Sequence, residues 1–386
     1  IDMMKRLFLS TLCLMAASSV MAQTGLTKKQ ADEATERLLA ERSAKIEAEY
    51  GHEWKEGVLT NGDYKMKFYY RVFGDKPADG RSLYISMHGG GGTTPAANDK
   101  QWENQKGLYT PVEGIYFVPR SSTDTWNMWH QFYMDGFVDK IVQLSGIYED
   151  VNPNKIYVMG YSAGGDGTFQ LAPRLADHWA AASMMAGHPN NAKIENLRNL
   201  PFSIFMGGQD AAYGRNSHAR EWIARLDSLH NAEGGFVSDS HIFEECGHWM
   251  NRQDTIAMSW MPKFRRNPYP NKVSWVQDDV SRDNFYWLYA SPTGKNEDTK
   301  VVAEYDGETN TVNIVETNSP SVIFGLNDKM MNLDKPVEIK FKGETIYKKR
   351  LPRSLKSIEE DVNAGRDADL IFPVKVKVMN GVATVL

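Results

Sequence analysis

The sequence contains few cysteines, with only Cys13 and Cys246 among its 386 residues. Two cysteines so far apart do not make a disulfide framework or a cysteine-rich zinc site. The sequence also lacks an H-E-x-x-H motif and the acidic loop of an EF-hand. We therefore expect no metal ion and no other cofactor, and a chain of this length that is stabilised by its hydrophobic core.

Long runs of basic residues are also absent, and the formal net charge is −5 with an isoelectric point of about 6.0. This balance argues against nucleic acid as a partner. Hydrophobic residues make up 41% of the chain and charged residues 24%, which is typical of a globular protein. Because 386 residues exceed the usual size of one domain, we expect a main domain and a smaller second one.

The N-terminal segment has the three parts of a secretory signal peptide. Two basic residues precede a short apolar run, and Val20 and Ala22 form a small-residue cleavage pattern before Gln23. The apolar run is too short to be a stable membrane span. We therefore expect residues 1–22 to be removed on export to the periplasm or the extracellular space, leaving no stable membrane anchor.

Short apolar runs alternate with stretches of high helix propensity through the first two thirds of the chain. The runs begin near residues 64, 83, 115, 156, 181, 203 and 241. The stretches 135–151 and 216–235 between them have apolar residues at three- and four-residue spacing, which predicts helices that pack on a sheet. An earlier stretch, from Thr27 to about Tyr50, predicts a surface helix. The alternation predicts an α/β fold with a mostly parallel, doubly wound sheet.

The pattern changes after Met261, where a proline-containing connector at 265–271 is followed by short strand-like runs and turns. One predicted helix, at 354–365, interrupts these runs. Such a segment is typical of an all-β, sandwich-like domain. The predicted organisation is a signal peptide at 1–22, an N-terminal helix at 23–56, an α/β catalytic domain at 57–264 and a β-sandwich domain at 265–386.

The sequence GYSAGG at 160–165 places Ser162 between an apolar run and a helical stretch. The G-x-S-x-G pattern alone is weak, because a chain with 31 glycines contains one by chance roughly one time in six or seven. Here the pattern lies where a strand turns sharply into a helix, which projects the serine hydroxyl towards solvent. Ser162 is thus a candidate nucleophile, and the Ala163 amide at the helix N-terminus a candidate oxyanion donor.

The sequence HGGGG at 88–92 follows another predicted strand and exposes successive backbone amides. Enzymes that transfer acyl groups need such donors where a carbonyl oxygen becomes an anion, so Gly89 and Gly90 are candidate donors. A phosphate-binding loop is excluded because no Gly-Lys-Ser/Thr follows. The alternative interpretation is a flexible glycine turn.

A serine nucleophile needs a base, and the base needs an orienting acid. Asp210 and His248 each follow a predicted strand, and serine, acid and histidine occur in the chain order of α/β-hydrolases. Asp254 is the alternative acid, although it follows the histidine. Solvated loop residues are the default interpretation of such side chains, but four ordered strand-end features favour a catalytic triad.

Several motifs together resemble secreted α/β-hydrolases grouped with polyhydroxybutyrate depolymerases and feruloyl or acetylxylan esterases. They are HGGGG, KIYVMGYSAGGDGTFQLA, AASMMAGHPN, FSIFMGGQD and CGHW. The resemblance covers roughly residues 80–262 and implies an α/β-hydrolase fold, with Ser162, Asp210 and His248 as triad and Gly89 and Ala163 at the oxyanion hole. The chain differs from many such relatives in lacking paired cysteines and in carrying a C-terminal β-domain.

Three tryptophans are candidate substrate contacts. Trp126 and Trp129 lie in a long loop after a predicted strand, and Trp249 follows the base, so each either stacks on a sugar or aryl ring or packs in the interior. We interpret Arg215 as a surface cation in preference to a receptor for an acidic substrate group. No large insertion precedes the acid strand, which favours an open cleft and an ester carried on a polymer.

These features predict a secreted serine hydrolase that acts on carboxylic esters, with feruloyl or acetyl esters of plant polysaccharides as candidate substrates. Two alternatives stay open. A serine peptidase of the same fold would use the same triad, because nothing in these residues separates amide from ester cleavage. A glycan-binding protein with a retired active site would use its β-domain for binding.

Overall fold

A computed structural model describes residues 25–386, and the predicted signal peptide lies outside the described residues. Within this range no helix has the length and apolar character to cross a membrane. Helix α1 (Lys28–Glu56) begins at a capping box, in which the Thr27 hydroxyl accepts the Gln30 amide and the Gln30 side chain accepts the Thr27 amide. The helix ends at Gly57, whose left-handed conformation suits a residue without a side chain.

The α/β part of the chain contains eight of the described strands. They are β1 (Val58–Asn61), β2 (Tyr64–Phe73), β3 (Arg81–Met87), β4 (Gly114–Pro119), β5 (Val151–Tyr161), β6 (Ala181–Met185), β7 (Phe202–Gly207) and β8 (Ser238–Phe243). The helices of this part are α2 (Pro95–Lys106), α3 (Tyr133–Glu149), α4 (Ala163–Arg174), α5 (Arg215–Glu233) and α6 (Ala257–Trp260). Short 3₁₀-helices lie at Ala176–His178, Ile194–Asn199, Ala212–Gly214, Gln253–Ile256 and Met261–Lys263.

These eight strands form one sheet in the order β1-β2-β4-β3-β5-β6-β7-β8. The pairs β1–β2 and β2–β4 are antiparallel and all other pairs are parallel. Both faces are covered: along β4, Ile115 and Phe117 belong to one hydrophobic cluster, while Tyr116 and Val118 belong to another. This strand order is that of the α/β-hydrolase fold, so the predicted fold class is confirmed.

The C-terminal part is a second set of strands with one helix. The strands are β9 (Lys272–Val276), β10 (Asn284–Phe285), β11 (Leu288–Tyr289), β12 (Lys300–Asp306), β13 (Thr311–Thr317), β14 (Ser321–Leu326), β15 (Val337–Phe341), β16 (Glu344–Lys349), β17 (Val374–Met379) and β18 (Val382–Val385). Helix α7 (Leu355–Asn363) is followed by a 3₁₀ turn at Ala368–Leu370. The strands form two five-stranded sheets, ordered β10-β11-β14-β17-β18 and β16-β15-β13-β12-β9, as expected for a sandwich-like domain.

The two parts are joined by polar contacts and by one shared hydrophobic cluster. Asn196 accepts the Val276 amide at 2.7 Å and donates to the Val276 carbonyl at 2.9 Å, as a neighbouring strand would. Arg174 is fully buried and donates to Asp278 at 3.0 Å across the same boundary. Helix α1, predicted as a surface helix, also joins parts of the fold, because it contacts both α3 and α7.

Helix α3 contains two glycines that differ in the space beside them. A Cβ atom on Gly146 would lie 3.9 Å from its nearest neighbour, whereas one on Gly136 would lie 2.4 Å from the Asn61 amide nitrogen. We expect Gly146→Ala to stabilise the protein by about 0.5–1 kcal/mol through helix propensity. The matched Gly136→Ala variant is expected to be destabilised, because Asn61 must leave its 2.8 Å hydrogen bond to the Tyr133 carbonyl. Urea unfolding of both variants checks the opposite signs.

A second stability prediction concerns His178, whose two ring nitrogens lie 2.9 Å from Asp139 and 3.0 Å from Asp177. Burial lowers the pKa of His178, but the two carboxylates outweigh burial and raise it to about 9. Since this pKa exceeds the unfolded value, the stabilisation is complete below about pH 6.5 and lost as the pH rises through 9.

The difference in unfolding free energy between wild type and His178→Gln should therefore shrink by roughly 2–3 kcal/mol between pH 6.5 and 10. Denaturant titrations at several pH values measure this difference. The exposed His52 supplies the control variant His52→Gln. A His178→Gln protein that stays equally destabilised at pH 10 would contradict the charged contact.

Candidate active site

Ser162 lies in a strained turn between β5 and α4. Its backbone has φ 59° and ψ −118°, a conformation that residues with side chains rarely adopt. The turn is this tight because its neighbours are glycines: a Cβ on Gly160 would lie 2.2 Å from the Gly164 carbonyl oxygen, and one on Gly164 2.1 Å from the Met87 oxygen. The Ser162 amide donates to the Met185 carbonyl at 2.9 Å, which fixes the turn above the sheet.

His248 lies in the loop after β8, where Tyr161 holds its backbone. The Tyr161 hydroxyl donates to the His248 carbonyl at 2.7 Å and accepts the Met250 amide at 3.0 Å. The His248 Nε2 atom is 2.9 Å from the Ser162 Oγ atom, and its Nδ1 atom is 2.7 Å from an Asp210 carboxylate oxygen. The imidazole side chain is 43% exposed while the acid is 3% exposed. The structure therefore brings the three predicted triad residues into one hydrogen-bonded chain that opens to solvent at the serine.

Asp210 follows β7, and its second carboxylate oxygen faces Arg215. The Arg215 guanidinium lies 3.7 Å from this oxygen and 4.9 Å from the ring of Tyr213. Its side chain is only 12% exposed, so our interpretation of Arg215 as a surface cation is wrong. As the first residue of α5, it places a positive charge beside the acid.

Asp254, the alternative acid, lies elsewhere in the interior. Its carboxylate accepts a hydrogen bond from the Tyr109 hydroxyl, and only 1% of the residue is exposed. Burial raises the pKa of Asp254 above its ordinary value. The structure therefore supplies Asp210, and not Asp254, as the hydrogen-bond partner of His248.

The glycine loop, residues 88–92, lies directly against Ser162. A Cβ on Gly89 would be 3.3 Å from the Ser162 Cβ, and one on Gly90 would be 2.1 Å from the Asn98 side-chain oxygen. No hydrogen bond from the Gly89, Gly90 or Ala163 amide to another residue is found within 25–386. These three amides remain our candidates for the oxyanion donors.

His88 and Asn98 hold the glycine loop in place. The Ser121 amide donates to His88 Nε2 at 3.2 Å, so the proton of the neutral ring lies on Nδ1 and is donated to the Gly89 carbonyl at 2.6 Å. Burial lowers the pKa of His88 to about 4, which keeps the ring neutral. Asn98, in α2, accepts the Gly91 amide at 2.9 Å. Neither Asn98 nor Ser121 belongs to a motif, so the sequence did not indicate a role for them.

Trp129 also holds the glycine loop in place and is not part of a substrate-binding surface. Its side chain is fully buried, and the indole nitrogen donates to the His88 carbonyl at 2.8 Å. The prediction that Trp129 contacts substrate is therefore wrong. The indole satisfies the buried carbonyl of His88, the residue that precedes the glycines.

Three other aromatic side chains are exposed around the triad. Trp126 is 61% exposed next to the glycine loop, and a Cβ on Gly92 would lie 3.6 Å from its Cβ. Trp249 is 49% exposed and packs on the Tyr161 ring at 5.6 Å between centroids. Tyr213, which no sequence motif indicated, is 80% exposed three residues after the acid. Exposure of this kind suits contact with a ligand, and the roles of Trp126 and Trp249 stay predictions.

The arrangement contains the groups that nucleophilic acyl transfer requires. A base lies within hydrogen-bond reach of a serine hydroxyl, a buried carboxylate orients the base, and the free amides of the glycine loop and of the helix N-terminus lie next to the serine. Within residues 25–386 no group of three or more histidine, cysteine or acidic side chains is placed to hold a metal ion.

No model of a known protein family matches this sequence, and no curated protein matches it. Among solved structures, a thermostable esterase shares 16% identity at a TM-score of 0.39, with 54% of this chain and 62% of that chain covered. A ferulic acid esterase shares 14% identity at a TM-score of 0.39, with 53% of this chain and 95% of that chain covered. A carboxylesterase from Bacillus cereus shares 14% identity at a TM-score of 0.37, with 51% of this chain and 94% of that chain covered. The chain thus spans less than two thirds of the first of these proteins.

Proposed function

We propose that this protein is an exported serine hydrolase that cleaves carboxylic esters through an acyl-enzyme intermediate. The proposal rests on one observation, the continuous chain of hydrogen bonds from the Ser162 hydroxyl through His248 to Asp210. A serine is a weak nucleophile until a base removes its proton. The strained turn and the buried acid are both costly to maintain without such a role.

In the proposed mechanism, the Ser162 Oγ atom attacks the ester carbonyl while His248 Nε2 takes the hydroxyl proton of Ser162. The imidazolium that forms is stabilised by the Asp210 carboxylate, while the amides of Gly89, Gly90 and Ala163 receive the oxyanion. His248 then gives the proton to the departing alcohol. A water molecule, deprotonated by the same imidazole, releases the acid and restores the serine.

The exposed tryptophans beside the triad favour a large substrate that carries the ester. Trp126 lies on the glycine-loop side of Ser162 and Trp249 on the base side. Flat aromatic faces in this position suit stacking on a sugar or on an aryl acyl group. We therefore propose feruloyl or acetyl esters on plant polysaccharides as substrates.

A substrate panel tests this function. The panel contains a p-nitrophenyl ester, feruloylated xylan, acetylated xylan and a peptidyl anilide, each assayed with wild type and with Ser162→Ala to subtract background. We expect turnover of the simple ester and release of acid from at least one xylan. Turnover of the anilide alone would instead establish a peptidase.

The two exposed tryptophans give a finer test. Trp126→Ala and Trp249→Ala are expected to raise KM for the polymeric ester by roughly 5- to 30-fold, the effect of losing an aromatic stacking contact of about 1–2 kcal/mol. The simple ester should be affected much less. Equal losses on both substrates would contradict a stacking role.

A further inference from the structure

A cavity lies where α1, α3 and the segment after α7 meet at the amino end of β5. Its volume is about 290 Å³. Val151 and Ile156 of β5 line it, whereas Ser162 follows the opposite end of that strand. At about 3.3 Å per residue, the six residues from Ile156 to Ser162 place the cavity roughly 20 Å from the nucleophile. It is therefore separate from the candidate active site.

The walls of the cavity carry more positive than negative charge. The lining contains five cationic side chains and three carboxylates, and Asp135 behind the wall pairs with Arg282 at 3.3 Å, which leaves an excess of one positive charge if His178 is protonated. The lining groups are Arg42, Arg266, Arg282, Arg366 and His178 against Asp139, Asp177 and Asp367. The carboxylates already have partners within the wall: both oxygens of Asp367 accept from Arg266, and Asp139 and Asp177 bind the imidazole.

Two of the arginines make no direct ion pair, although Asp139 attracts Arg42 and Asp177 attracts Arg366 at longer range. No carboxylate lies within 4.0 Å of the Arg42 or Arg366 guanidinium among the described residues. Arg366 is only 5% exposed, and it donates to the carbonyls of Leu370 and Tyr286 while its Nη1 atom is buried without any partner. Burying a guanidinium without a direct ion pair costs desolvation free energy. An anion bound beside Arg366 would offset part of that cost.

Arg42 reaches the same place from the N-terminal helix. A Cβ on Gly365 would lie 2.9 Å from the Arg42 Nη2 atom and 3.2 Å from the Gln143 amide nitrogen. The guanidinium thus ends beside the backbone that carries Arg366. Two guanidinium groups without a direct ion pair, from opposite ends of the chain, meet at one cavity, where both would attract a bound anion.

We propose that this cavity binds a small organic anion, a carboxylate carried on a short apolar body. The carboxylate is the part that Arg42 and Arg366 recognise, because a guanidinium pairs with carboxylate oxygens through charge-assisted hydrogen bonds. The apolar body is required by the remaining walls. These are formed by Leu39, Ile46, Val142, Ile147, Ile156 and Leu370. The bound anion would tie α1, α3 and the C-terminal part together.

Calorimetric titration of the whole chain tests this site, in a buffer without phosphate or carboxylates. Hexanoate and 3-phenylpropionate are the probes, their amides are the neutral controls, and inorganic phosphate is the control for an oxyanion without an apolar body. We expect the two carboxylates to bind, the amides not to bind, and phosphate to bind more weakly. Binding of phosphate alone, or equal binding of acid and amide, would overturn the proposal.

Two variants in α1 show where the probes bind. Arg42→Gln is expected to weaken carboxylate binding at least about tenfold through loss of a charge-assisted contact. The matched control Arg37→Gln removes an exposed arginine of the same helix, which pairs with Glu41 away from the cavity, and should bind as wild type does. Equal affinities for wild type and Arg42→Gln would overturn the site. Enzyme with its serine blocked by a fluorophosphonate should bind the probes unchanged, which separates this cavity from the active site.

Discussion

Replacing Ser162 with alanine is expected to lower kcat for an ester substrate by about 10⁵- to 10⁶-fold, to a residual rate that the remaining groups support. The loss should be this large because the hydroxyl is the attacking atom and the 2.9 Å contact with His248 activates no other group. Initial rates with a p-nitrophenyl ester measure it. KM should change little, since the side chain shrinks by one oxygen atom.

The control for this variant is Ser217→Ala, which changes an exposed serine at the start of α5. It should keep wild-type activity. Melting temperatures of the three proteins show whether the fold is intact. An alanine variant at position 162 that is folded and keeps more than a few per cent of the activity would mean that another group attacks the ester.

Replacing Asp210 with asparagine is expected to lower kcat by about 10⁴-fold. The carboxylate accepts the Nδ1 proton of His248 at 2.7 Å, which leaves Nε2 free to take the serine proton. An amide loses the negative charge and presents a donor in its place, so the imidazole turns to the tautomer that has its proton on Nε2. The base then faces the serine in a form that cannot accept a proton.

Asp254→Asn provides the matched control, because it neutralises a second buried aspartate that binds Tyr109 and not the imidazole. Its activity should stay within a few fold of wild type. The pH dependence of kcat/KM for Asp210→Asn distinguishes loss of the base from misfolding. If Asp254→Asn lost more activity than Asp210→Asn, the assignment of the acid would be wrong.

The triad could be predicted from the sequence because each member follows a strand. In a parallel sheet the carboxyl ends of the strands meet at one edge, so residues far apart in the chain come together there. Ser162, Asp210 and His248 each occupy such a position. The order of these features along the chain therefore carried spatial information that a single motif lacks.

Side-chain direction could not be predicted in the same way. Trp126 and Trp129 lie three residues apart in one loop, yet the first is 61% exposed and the second fully buried. Arg215 follows the acid in a polar segment, and only the packing of α5 shows that it is enclosed. Burial of loop residues depends on tertiary contacts, which local composition does not specify.

The cavity has no signal in the sequence at all. Its arginines without a direct ion pair come from positions 42 and 366, separated by most of the chain, and neither lies in a motif. The helix that supplies the first of them was predicted as a surface element. Its contacts with both α3 and α7 depend on how the two parts of the protein pack.

Covalent labelling with a fluorophosphonate tests the central claim, that Ser162 is an activated nucleophile, most directly. Intact-mass analysis is expected to show one adduct per wild-type chain, and peptide mapping should place it on Ser162. His248→Gln should label at least about 10³-fold more slowly, since the serine then keeps its proton. A wild-type protein that stays unlabelled, or that is labelled at another residue, would contradict the catalytic assignment.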